Sequence, residues 1–110
     1  MSNRTALEIL FILTEHNLVV KKLMPKISEF FGIEIVFNYR GEHNPPHFHA
    51  RQAGREGIFT ISPLGYLHGD LTPRAVALVI EWAAQHIAEL DTCWRLAREM
   101  QPIPKISPLE

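Results

Sequence analysis

The stretch Gly41-Glu42-His43-Asn44-Pro45-Pro46-His47-Phe48-His49-Ala50-Arg51 holds three of the chain's six histidines, and the rest of the fold is read outward from it. Two consecutive prolines fix φ and supply no amide donor, so His43-Asn44-Pro45-Pro46 reads as a stiff turn or the entry to a sheet edge. A residue before proline is pushed out of the helical region, so the chain enters His47-Phe48-His49-Ala50-Arg51 extended. Side chains on a strand alternate between faces. His47, His49 and Arg51 therefore fall on one side and Phe48 and Ala50 on the other, with successive members of a row about 7 Å apart at Cα.

Working outward, Ile33, Ile35, Phe37 and Tyr39 alternate with Glu34, Val36, Asn38 and Arg40, the period-two pattern of a strand that starts after Gly32. Ala53-Gly54 signals a turn, and residues 55–62 give a further strand with Phe59 and Ile61 on one face and Ile58 and Thr60 on the other. After Ser62-Pro63-Leu64-Gly65, residues 66–70 read as a short fourth strand in which Leu67 faces the core and Tyr66 and His68 face away. Thr72-Pro73 is a helix start, with a hydroxyl to cap and proline at the first helical position. Val76, Ile80, Ala83, Ile87, Leu90, Trp94 and Ala97 then form one apolar stripe. A single helix over residues 73–99 would run about 40 Å, roughly twice a typical strand, so its far half must bend back, pack on an N-terminal helix or meet a second copy of the chain. Trp82 and Trp94 read as core or interface anchors, and His16 and His86 as helix residues without polar company. Pro102, Pro104 and Pro108 leave a tail without regular structure, anchored by Ile103 and Ile106.

Residues 3–13 carry helix formers with apolar residues on most sides, which predicts a short buried helix. Met24-Pro25 opens a segment of different character, so residues 1–23 read as a helical extension and 24–110 as one domain. The fold class is α+β: a small antiparallel sheet of three to four strands packed by a long C-terminal helix.

Composition narrows the function. A chain of 110 residues fits a single domain and buries enough surface to fold without disulfides. The lone Cys93, in an apolar helical setting, reads as a small buried hydrophobe rather than a nucleophile, and with no export signal it points to the cytoplasm. The apolar run 6–13 is interrupted by Glu8 and falls short of the ~20 residues a bilayer requires, so no membrane partner is expected. Net charge is -1 with scattered basic residues, against tight sequence-blind polyanion binding.

With these elements laid out, Met24-Pro25-Lys26-Ile27-Ser28-Glu29-Phe30-Phe31-Gly32-Ile33 followed by His43-Asn44-Pro45-Pro46-His47-Phe48-His49-Ala50 resembles the prokaryotic domain-of-unknown-function 4160 family. Gly69-Asp70-Leu71, Glu81-Trp82, Trp94 and Ile106-Ser107-Pro108-Leu109 extend the resemblance over residues 24–110. It implies a small bacterial protein of uncharacterised activity, often encoded beside another small domain and sometimes suspected to belong to toxin–antitoxin pairs. It carries over no catalytic residue.

The outward sheet face carrying His47, His49 and Arg51 is read as engaging a protein partner or a phosphate-bearing ligand such as RNA. Divalent-metal binding and a purely structural role are the alternatives, so the motif has three readings. In the first, His47 and His49 act on RNA as acid and base while Arg51 meets phosphate charge, because imidazole has both protonation forms available near neutrality. His43, Asn44, Tyr66, His68 and Asp70 are then candidate binding residues, and no cofactor is required. In the second, His47 and His49 bind zinc or another divalent metal, with His43, His68 or Asp70 completing the shell, although no residue is assigned firmly as a ligand. In the third, the prolines build a rigid turn and the histidines serve the sheet or a protein partner encoded nearby. A homo-oligomer through the C-terminal helix is compatible with all three.

Overall fold

The computed structural model describes residues 23–39 and 42–110. Five strands are followed by two helices: β1 (Lys26–Phe30), β2 (Ile33–Val36), β3 (His47–Gln52), β4 (Arg55–Ile61), β5 (Leu64–Gly69), α1 (Pro73–Ala84) and α2 (Ile87–Arg98). The strands form one sheet in sequence order, every neighbour antiparallel. The α+β class is as expected, but the sheet has five strands rather than three to four, and the C-terminal helix is two helices. The helical extension expected over residues 1–23 lies, apart from Leu23, outside the described residues, as does His16.

Two tight turns set the register. Phe31-Gly32 joins β1 to β2 and Ala53-Gly54 joins β3 to β4, each pair with positive φ at both positions (50° and 75°, 49° and 78°). That geometry matches the right-handed twist of the flanking strands, and glycine reaches it without strain. β1 escaped the sequence reading because a register shift between Lys26 and Ser28 breaks its alternation, leaving Ile27 and Ser28 both buried. A second irregularity corrects β5. Ile58 pairs with His68 and Phe59 with Tyr66, so Leu67 is an extra residue on β5. One extra residue exchanges the two faces beyond it. Leu67 is therefore 54% exposed, while Tyr66, expected to face away, packs 5.0 Å from Phe59 on the core side.

The core lies between one face of the sheet and the two helices. Ile33 and Ile35 of β2, Phe48 and Ala50 of β3, and Phe59 and Ile61 of β4 meet Val79, Trp82 and Ala83 of α1 and Leu90, Cys93 and Ala97 of α2, all fully buried. Phe48 stacks on Phe59 at 5.3 Å and meets the edge of Trp82 at 6.0 Å. Trp82 donates its indole N–H to the Ser107 carbonyl at 2.8 Å, and the Ile106 amide donates to the Ile27 carbonyl, so the tail is anchored at Ile106 as its apolar character suggested.

Thr72 caps α1 by accepting from the Ala75 amide at 3.2 Å, with Pro73 at the first helical position. The helix then stops at Gln85, and α2 starts after His86. This break is the bend that the length of residues 73–99 demanded: it returns Leu90, Cys93, Trp94 and Ala97 to the core instead of carrying them past the sheet. His86 is not without polar company, as its Nδ1 lies 2.7 Å from Glu89 Oε1 and its ring 5.4 Å from Trp82. Among the described residues no helix is long and apolar enough to cross a membrane.

Candidate metal centre

Alternation along β3 divides its side chains as expected. Phe48 and Ala50 have no exposed surface, and His47, His49 and Arg51 stand on the opposite side. The ladder extends that face into rows. Glu34, Arg51 and Glu56 lie across from one another, and the next row is Val36, His49, Ile58 and His68. The His47 and His49 rings are 5.5 Å apart at their centroids.

A carboxylate closes the gap between them. Glu42, in the segment that leads into the two prolines, places Oε2 2.6 Å from His47 Nε2 and Oε1 2.8 Å from His49 Nε2. The other nitrogen of each ring is also held: His47 Nδ1 donates to the Pro45 carbonyl at 2.8 Å, and His49 Nδ1 to Glu56 Oε1 at 2.8 Å. A carbonyl oxygen can only accept, so His47 Nδ1 carries a hydrogen, whereas His49 faces a carboxylate through each ring nitrogen, Glu56 at Nδ1 and Glu42 at Nε2. Both Nε2 atoms meet the Glu42 carboxylate, one at each oxygen.

The cluster is largely enclosed. The side chains of His47, His49 and Glu42 retain 10%, 12% and 14% of their surface. Trp94 of α2 lies against His47, ring centroids 4.9 Å apart, so the helix that seals the core also walls one flank of the polar site. Burial pushes the Glu42 carboxyl up. The hydrogen bonds from His47 and His49 and their positive charge outweigh it, and the group ends below its ordinary value.

The arrangement is one that could hold a metal ion. One donor atom from each of Glu42, His47 and His49 lies within 4.8 Å of the others, the group among the described residues that meets this condition. Imidazole and carboxylate together suit zinc and other divalent transition metals, with Zn–N near 2.0–2.1 Å. Ligand histidines characteristically donate their second N–H to a carboxylate or a backbone carbonyl, which fixes the tautomer and ring orientation. Glu56 and the Pro45 carbonyl are such acceptors here.

The remaining candidates are placed elsewhere. Arg51 sits beyond Glu56, its Nε 3.9 Å from that carboxylate and its Nη2 3.3 Å from Met24 Sδ. His43 and Asn44 are exposed in the loop. His68 shares the face of His49 with Ile58 between them, about 10 Å away by strand spacing. Tyr66 is on the opposite face. Asp70 ties strand ends together, its Oδ1 accepting from the Glu56 amide at 2.9 Å and its carbonyl from Arg55. Sequence reasoning missed Glu42 and Glu56. Glu56 was within reach, since a two-residue turn at Ala53-Gly54 pairs Arg51 with Glu56 and sets it diagonal to His49. Glu42 carried only one signal, an acid in the same short stretch as the histidines, because the return of a loop onto a sheet has no periodicity.

A family model described as Domain of unknown function (DUF4160) matches residues 32–95, from the turn before β2 to within α2. The match contains Glu42, His47, His49, Glu56 and Trp94. No curated protein and no solved structure matches the chain.

Proposed function

The chain belongs to the DUF4160 family, and from that membership, which assigns no activity, we propose that it is a divalent-metal-binding domain with Glu42, His47 and His49 as ligands. The observation that carries the reading is the orientation of both rings: each Nδ1 is spent on an acceptor, and each Nε2 converges on the Glu42 carboxylate. Three protein ligands leave coordination positions for water or a small ligand. Two imidazoles favour a transition metal over magnesium or calcium, which prefer oxygen.

Metal-independent RNA cleavage by His47 and His49 has less support. Acid–base work on a phosphodiester needs an exposed imidazole nitrogen within hydrogen-bond reach of the reacting oxygen. Here both Nε2 atoms are engaged by Glu42, and the rings are 10% and 12% exposed. No observation favours a particular protein partner or membership of a toxin–antitoxin pair.

Titration of the chelator-treated protein with Co2+ and Zn2+ tests the reading. The expected result is saturable binding at one ion per chain, weakened in Glu42→Gln and abolished in His47→Ala and His49→Ala. Absence of saturable binding by the unmutated protein refutes it. RNA cleavage that persists in chelator and vanishes in His47→Ala would move the assignment to acid–base chemistry.

A further inference from the structure

Glu42 belongs to neither a strand nor a helix, yet its carboxylate meets two rings at hydrogen-bond distance. Something must hold the backbone that delivers it. Arg98, the last residue of α2, lies 56 positions away and donates Nη1 to the Glu42 carbonyl at 3.0 Å and Nη2 to the Asn38 carbonyl. A single guanidinium thus ties the chain on either side of residues 40 and 41. The guanidinium carbon also sits 4.5 Å from the centroid of Trp94, whose indole lies 4.9 Å from the His47 ring. Arg98 lies over the Trp94 ring, Trp94 packs against His47 with the two rings tilted by 47°, and Arg98 also holds the backbone of Glu42.

We infer that Arg98 is the positioning residue of the metal centre, fixing Glu42 between the two imidazoles from the end of α2; the inference rests on the metal-binding reading above. The chemistry fits arginine alone. Its planar fork carries several donors in fixed directions, so it can bond two carbonyls while its face rests on an indole, whereas a lysine ammonium is a point charge on a flexible stem. The cation lies over an aromatic face, a favourable site for a partly desolvated guanidinium. The placement also explains why Glu42 lies on neither regular element. The loop takes its position from a tertiary contact, not from a ladder.

Residues that orient metal ligands typically change affinity by ~10- to 100-fold when removed. Arg98→Met, which keeps an apolar stem against Trp94 and loses every donor, is expected to weaken Co2+ binding by that factor, and Arg98→Lys by less. The discriminating measurement is the double variant. If Arg98 acts through Glu42, Arg98→Met added to Glu42→Gln costs no further affinity, and the Co2+ absorption spectrum of Arg98→Met resembles that of Glu42→Gln. Affinity losses that multiply, or an unchanged affinity in Arg98→Met, overturn the inference. A metal-free readout separates it from the reading beneath it: ring nitrogen chemical shifts of His47 and His49 in Arg98→Met should move as they do in Glu42→Gln. If the unmutated protein binds no Co2+, the metal reading falls, and those shifts alone decide whether Arg98 places Glu42. Should Arg98→Met fail to fold, the same shift and affinity comparisons in Arg98→Lys decide the matter.

Discussion

The two faces of β3 follow different rules. On one, Phe48 and Ala50 are fully buried against Phe59, Ile35 and Trp82, held by area and close packing. On the other, His47 and His49 are nearly as enclosed, but by named polar partners at fixed distances: Glu42, Glu56 and the Pro45 carbonyl. Burial of apolar groups is non-directional, so the first face tolerates repacking at a cost in stability. Hydrogen bonds are directional, and a buried polar group left without a partner costs free energy. The second face is therefore specific in geometry and modest in net stability.

Four predictions break or sharpen that contrast. The largest effect is expected from Phe48→Ala, which empties a site between Phe59, Phe37 and Trp82. It should cost about 3–5 kcal/mol by urea denaturation, and a loss below 1 kcal/mol would mean that the apolar face is not the source of stability. Next comes Gly57→Ala on the same face. A Cβ there would stand 2.7 Å from both Leu71 Cδ1 and Tyr66 Cε1, so overpacking should cost roughly 1–3 kcal/mol, again measured by denaturation.

The third concerns the polar face and acid. The Glu42 carboxyl lies below its ordinary value of 4.5 in the folded chain, so the native state binds this proton less readily than the unfolded state. Its contribution is fully present above that ordinary value and is lost as pH falls through the lower, folded value. The urea midpoint of the unmutated protein should drop relative to Glu42→Gln as pH falls below 4.5, and parallel curves would show that Glu42 is not held by the imidazoles. The smallest effect is at Cys93. Burial, with Glu89 nearby, pushes its thiol up to about 11. Only roughly a thousandth is thiolate at pH 8, so a disulfide reagent should leave the native thiol unlabelled until denaturant is added.

The legible and illegible parts of the molecule divide along the same line. Alternation in residues 47–51 and the Ala53-Gly54 turn could be read directly, because both are local: side-chain period and φ preference act within a few residues. β1 was hidden by the register shift after Lys26, and the faces of β5 were exchanged by the extra Leu67. A bulge is a property of a strand pair, so neither strand announces it alone. The break at Gln85 and His86 has no glycine or proline to mark it. It follows from fitting Leu90 and Trp94 against a sheet of finite length.

By its own pattern the chain determined an antiparallel sheet, an apolar face built on Phe48 and Phe59, a capped helix at Thr72 and a polar row containing His47, His49 and Arg51. Tertiary structure decided which members of that row work together. Arg51 separates from the pair, and Glu42 joins it from a loop whose position depends on Arg98 at the far end of the last helix. The physical reason is range: torsional preference and periodicity are written in adjacent residues, whereas the meeting of two imidazoles with one carboxylate is settled only when distant segments share the same surface.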